Sequence, residues 1–144
     1  MSFRLLRPTD EFELVLQADE AADDSDKVLT VPDFAVWRLQ SLWVELTSSA
    51  DVGNRQLEVQ IRDDSDDVVA RFVAGAGKAA SLTRHYLFAP GVPDLTAFRD
   101  TDLISNPIPD VYLPAGWDIR IFDNNAVAAA ADDMIVQAVV HEQS

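Results

Sequence analysis

The chain has 144 residues, 48% of them apolar, no cysteine, and a formal net charge of -14 with a pI near 4.2. That composition specifies one folded domain with its own core rather than a disordered acidic tail. The absence of cysteine excludes disulfide scaffolds, Cys-ligated zinc and thiol catalysis. A surface this acidic repels polyphosphate and anionic lipid, so neither direct nucleic-acid binding nor membrane binding is expected.

Residues 1–10 read as an N-terminal arm ahead of a single domain over residues 11–144. In the arm, Phe3, Leu5 and Leu6 stand between Arg4 and Arg7, an apolar and basic island in an acidic chain. Such a segment is costly to leave free, which makes Phe3, Leu5, Leu6 and Arg7 candidates for docking on a neighbouring subunit. The arm lacks the apolar run of a signal peptide, and no stretch approaches the ~20 apolar residues of a membrane span. Synthesis in a cytoplasm without an encoded export signal is therefore the expectation.

Strands are expected over 12–17, 36–48, 55–62, 68–73, 81–88, 110–113, 117–122 and 134–141, with a short one over 28–31. The most legible stretch is residues 43–63, which reads as a β-hairpin. Leu42, Val44 and Leu46 alternate with Trp43, Glu45 and Thr47, and Leu57, Val59 and Ile61 alternate with Glu58, Gln60 and Arg62. Gly53-Asn54 lies between the two runs, where a positive φ is easily reached. The inward sets expected to form the core are Leu14 and Leu16; Leu42, Val44 and Leu46; Leu57, Val59 and Ile61; Leu82, Tyr86 and Phe88; Trp117, Ile119 and Ile121; and Met134, Val136, Ala138 and Val140. Residues 89–109, with four prolines and no period, read as one long loop. Ala126 to Ala131 suit a short helical turn before the last strand. About eight strands without helices imply an all-β fold, a two-sheet antiparallel β-sandwich of jelly-roll type.

Trp37, Leu39 and Trp43 share a parity opposite to Leu42, Val44 and Leu46. A strand apolar on both faces is covered by a loop or arm of its own chain, packs on another subunit, or offers a sugar-stacking platform. Trp37, Leu39 and Trp43 are accordingly interface candidates.

The chemistry-bearing residues are sparse. His85 and His141 are the only histidines, without the HxH cluster of a cupin-type metal site. No GxSxG elbow occurs, and GAGK at residues 75–78 fails the P-loop spacing and reads as a flexible turn. The acidic strings DEAADDSD and RDDSDD read as solvated turns. The second offers hard oxygen ligands for calcium but lacks the glycine and glutamate of a helix-loop-helix calcium loop. No catalytic residue, cofactor or metal ligand is assigned, and the expectation is a protein that is not an enzyme.

Three segments, WRLQSLWVELTSSADVGNRQLEVQIRD, AASLTRHYLFAPG and YLPAGWDIRIFDNNAVAAAADDM, together resemble small virion structural proteins of tailed bacteriophages. The likeness runs from about Trp37 to Val140. It rests on the GNRQ turn at Gly53 to Gln56, the LPAG turn at Leu113 to Gly116, Arg120, Asp123, and ADDM at Ala131 to Met134. These are turn-and-strand signatures rather than catalytic motifs, and the first thirty residues lie outside them. The resemblance implies a β-sandwich component of the particle, of the kind that decorates or cements the outer head shell. It also implies assembly with a major capsid protein or other virion subunits, homotrimers at local symmetry axes, and a location in the virion. A tail, neck or fibre-associated protein of the same fold, or a carbohydrate-binding sandwich, fits the same residues.

Overall fold

Period-2 alternation builds ten strands in the computed structural model, which describes residues 13–19, 26–75, 77–95, 102–127 and 131–143. They are β1 (Glu13–Asp19), β2 (Lys27–Thr30), β3 (Val36–Thr47), β4 (Leu57–Arg62), β5 (Val68–Val73), β6 (Thr83–Ala89), β7 (Leu103–Pro107), β8 (Tyr112–Leu113), β9 (Asp118–Asp123) and β10 (Asp133–Gln143). One sheet runs β1-β10-β3-β6-β7, with β8 also on β3, and the other runs β2-β9-β4-β5. No helix occurs among the described residues.

The antiparallel pairs are nested. β1 pairs β10, β2 pairs β9, β3 pairs β6, and β4 pairs β5. Eight strands paired outside-in and split over two sheets make a jelly roll, as the helix-free pattern predicts. β7 and β8 are inserted between β6 and β9 and extend the first sheet. β8 covers the start of β3 at Trp37 and Arg38, and β6 covers its end from Leu42 to Thr47.

The core lies between the sheets. Leu42, Val44, Leu46, Tyr86, Phe88, Ile104, Met134, Val136, Ala138 and Val140 from one sheet meet Leu57, Val59, Ile61, Ile119 and Ile121 from the other. Each fully buried aliphatic side chain contributes about 1.5–3 kcal/mol.

Four expectations are corrected. First, residues 43–63 are not a hairpin, because β3 and β4 lie in different sheets. Alternation sets which side chains face inward but not which sheet a strand joins. Residues 48–56 carry the chain across one end of the sandwich, and Gly53 (φ 145) bends within that crossover. A Cβ there would stand 3.0 Å from Val127.

Second, β3 is not apolar on both faces. Val139 pairs Ser41 while Val140 pairs Leu39, so Gln40 is an extra residue in a β-bulge. The bulge flips the parity, and Trp37 and Leu39 point into the same core as Leu42, Val44 and Leu46. Third, β1 has the opposite parity from the one expected. Val15 packs on the core, while Leu14 and Leu16 are 67% and 59% exposed.

Fourth, the stretch from residue 89 to residue 109 is not all loop. β7 lies parallel to β6 with His85 opposite Leu103, and Pro107 is tolerated because it closes the strand. After β9 the described chain continues in a turn. Asp123 accepts hydrogen bonds from the amides of Asn125 (3.0 Å) and Val127 (3.0 Å), and Ala126 has φ 50. Residues 128–130 of the expected helical turn, and the whole arm of residues 1–10, lie outside the described residues.

Candidate functional site

The two outer faces of the sandwich differ in chemistry. On the β2-β9-β4-β5 sheet, outward side chains form a polar ladder flanked by exposed Val28 and Val73. Arg120 pairs with Asp26, reaches Gln60 at 3.2 Å, and lies 3.9 Å over the Phe122 ring. Glu58 accepts from Arg71 (2.5 Å), Gln60 (2.6 Å) and Asn124 (3.1 Å). Burial opposes ionisation of Glu58, but those three donors outweigh it and hold its carboxyl below the usual range. Arg62 is bidentate to Asp118 at 2.8 and 3.0 Å. Charges this thoroughly matched within one chain leave little for a partner to pair with.

The outer face of the β1-β10-β3-β6 sheet carries larger apolar side chains. Strand register places Leu16 beside Val139, Gln137 beside Trp43, and Trp43 beside Leu87. Ile135 lies one register row from Gln137. Leu14 and Leu16 extend this stripe onto β1. Trp43 is half-buried and stacks on His85, ring centroids 5.3 Å apart. His85 also contacts Glu45 at 3.2 Å and Asp102 at 3.8 Å.

The ends differ as well. At the end where β3 finishes, Arg55 and Asp132 form a fully buried pair at 2.6 Å, with a second bond at 3.0 Å. Arg55 also donates to the carbonyls of Asp51 (2.9 Å) and Gly53 (2.7 Å), and Asp132 accepts from the Ser49 amide at 2.7 Å. Lys78 is buried beside them. Its backbone pairs Arg55 in both directions at 2.7 and 2.8 Å, and its Nζ donates to the carbonyl of Leu46. Burial pushes the Lys78 ammonium down to about 8, against Asp132 and with help from the Arg55 and Arg84 charges. Asp123 caps the Gln56 amide at 2.8 Å.

At the opposite end lie the β4–β5 turn, the 32–35 turn and an apolar cleft. Asp63 closes the acidic turn by accepting from the amides of Ser65 (2.8 Å) and Asp67 (3.0 Å). Among the described residues no group of three or more His, Cys, Asp or Glu side chains could hold a metal ion. Pro114 to Trp117 is a type II turn, with Gly116 (φ 84) at its third position and Trp117 donating to the Pro114 carbonyl at 3.2 Å. The cleft beside it, about 420 Å³, lies between β5 and β8, and its walls include Ile61, Val69, Pro109, Val111, Leu113 and Trp117.

Phe34 is 93% exposed and sits at φ 64, a conformation unfavourable for a bulky residue. Phe34→Gly is expected to stabilise the domain by about 0.5–1 kcal/mol, the αL relief less the entropy of glycine. A thermal melt checks this, and a lowered Tm would mean that Phe34 packs on something.

Of the sequence candidates, Trp37 and Leu39 are core residues, and the Trp37 indole donates to Glu142 at 2.7 Å. Trp43 alone of the three faces outward. Phe3, Leu5, Leu6 and Arg7 lie outside the described residues. Sequence reading missed the buried Arg55, Lys78 and Asp132. A signal was present: GNRQ and ADDM, both parts of the resemblance, supply Arg55 and Asp132 to one cluster.

No protein-family profile and no curated protein matches the chain. Among solved structures it is similar to a chain of the T13 particle of infectious bursal disease virus, at 12% identity and TM-score 0.32, over 99% of this chain and 42% of that one. It is also similar to a chain in the structure of the Gx strain of that virus, at 11% identity and TM-score 0.32, over 92% and 42%. The chain thus spans less than half the length of these neighbours.

Proposed function

We propose that this is a non-enzymatic virion structural protein, a decoration or cement component that docks on the outer head shell and stabilises it. The observation that carries the reading is the contrast between its two outer faces on a jelly-roll frame. One face is centred on a polar ladder satisfied within the chain and flanked by Val28 and Val73, and the other carries the larger Leu14, Leu16, Trp43 and Leu87. Jelly rolls serve as viral capsid, lectin and cupin domains. The cupin use needs a metal cluster. The lectin use is disfavoured because Trp37 is in the core, which leaves Trp43 without the second tryptophan of a stacking platform. The phage-virion sequence pattern supports the capsid use.

In this reading the apolar stripe meets the major capsid protein, and the face with the polar ladder points to solvent. Bridging shell subunits turns weak single contacts into avidity. A homotrimer at a local symmetry axis satisfies the same geometry, and light scattering tests it. Imaging of particles with and without the protein is expected to show added density on the outer shell.

Leu14→Glu together with Leu16→Glu is expected to cut shell occupancy at least about tenfold. These are exposed positions, so folding should be nearly unchanged. Full occupancy by the double variant removes this face from the interface, and density on the tail places the protein elsewhere in the particle.

A further inference from the structure

We infer that the cleft between β5 and β8 is the seat of the chain's own N-terminal segment, with Phe3, Leu5 and Leu6 in the cleft and Arg4 and Arg7 against the aspartates around it. The inference does not depend on the virion reading.

The cleft is an apolar opening at an acidic end of the molecule. Val69 is the bulged residue of β5, since Ile61 pairs Ala70 while Arg62 pairs Val68. It and Val111 remain 51% and 40% exposed on the rim. Around them stand Asp63, Asp64, Asp66 and Asp67 of the β4–β5 turn, whose Asp64 side chain lies 3.2 Å from where a Gly116 Cβ would be. Asp110 separates Pro109 from Val111 and is bidentate to Arg38. The occupant that fits such a rim is apolar and basic, and FRLLR at residues 3–7 is the segment of this chain with that character.

The exit point of the arm agrees. Strand register puts Glu13, Glu142, Trp37 and Leu113 on one row across β1, β10, β3 and β8. The chain therefore enters β1 at the same end as the cleft. Three strand spacings separate Glu13 from Leu113, roughly 14 Å. An extended chain places Arg7 up to ~20 Å and Phe3 up to ~33 Å from Glu13, so the span is met with length to spare. Seating within one chain is favoured over exchange between copies. Two acidic ends repel each other, whereas a short tether holds its segment at an effective concentration in the millimolar range.

The native chain has no cysteine, so an engineered pair is the only one that can form. In the 144-residue chain carrying Leu5→Cys and Val111→Cys, mild oxidation is expected to give a disulfide-linked monomer on a non-reducing gel. Leu5→Cys with Val28→Cys, at an exposed position on β2, is expected to link far less. Adding Arg4→Glu and Arg7→Glu to the first pair should lower its yield about fivefold, the worth of two exposed ion pairs. No link, a yield equal to the Val28 control, or a linked dimer in place of the monomer would overturn the seat. An unchanged yield in the charge-reversed chain would overturn its electrostatic half.

Discussion

Asp132→Ala is expected to cost about 3–5 kcal/mol of stability, the largest single effect in the domain, because it strands a fully buried guanidinium. Arg55 and Asp132 are both wholly shielded from solvent and share two charge-assisted bonds at 2.6 and 3.0 Å. The pair ties three separate stretches together: the 48–56 crossover through Ser49, Asp51 and Gly53, the 77–80 segment through the Arg55–Lys78 bridge, and the approach to β10 through Asp132 itself. Losing the carboxylate leaves Arg55 charged, buried and short of its principal acceptor. Removing both charges with Arg55→Met and Asp132→Leu should recover much of the loss, since a buried ion pair is often replaceable by apolar packing. The exposed Arg38–Asp110 pair has similar bidentate geometry, yet its loss should be barely visible because water replaces either partner. Urea unfolding of Asp132→Ala, of the Arg55→Met/Asp132→Leu double variant and of Asp110→Ala, each against the native chain, measures this. A cost below about 1 kcal/mol for Asp132→Ala would mean that water reaches the pair.

The same pair sets the acid limit. Burial opposes ionisation of Asp132, but Arg55 and the Ser49 amide and hydroxyl outweigh it and hold the carboxyl below the usual range. Its folded pKa is thus lower than its unfolded one, near 3.9. The stabilisation is present above that unfolded value and is lost as pH falls through the folded one. Glu58, held low by Arg71, Asn124 and Gln60 after its own burial cost, adds in the same direction. Stability should fall as pH drops below about 4, and less steeply in Asp132→Ala.

How far these features are legible depends on whether they are periodic. Leu57, Val59 and Ile61 declare their inward face because nothing interrupts the alternation of β4. β3 carries the same signal, but the bulge at Gln40 inserts one residue, and a reader of strict parity assigns Trp37 and Leu39 to the wrong side. For β1, Leu14 and Leu16 outweigh Val15 on hydrophobicity alone, yet the structure buries Val15 and leaves the leucines outside. An exposed apolar stripe looks like a core stripe when only the sequence is read. The jelly-roll class was reachable from strand count. Partner choice was not, because β4 reads the same whether it pairs β3 or β9. The buried polar cluster was least legible of all: Arg55 and Lys78 lie in Gly- and Asn-rich turns, where cations are ordinarily solvated.

The second large effect concerns Lys78 and has the opposite sign with pH. Its side chain is buried and donates to the Leu46 carbonyl, and burial brings its ammonium down to about 8. In the unfolded chain the value returns to near 10.4. Below pH 8 the lysine is charged in both states, and the folded state bears the full desolvation cost. Between about pH 8 and pH 10.4 the unfolded chain keeps the proton that the folded one sheds, so stability rises with pH. That window is worth about 2–4 kcal/mol at 1.36 kcal/mol per unit. Tyrosines and other lysines titrate nearby, so the quantity to measure is a difference: the stability of the native chain minus that of Lys78→Met, at pH 7 and at pH 10. The native chain should gain on the variant by that amount, and at pH 7 the variant should be close to it or above it. A flat difference would place the ammonium in contact with water. A difference that falls with pH would make Lys78 a partner of Asp132 in a buried triad, with Arg55 and Lys78 sharing one carboxylate.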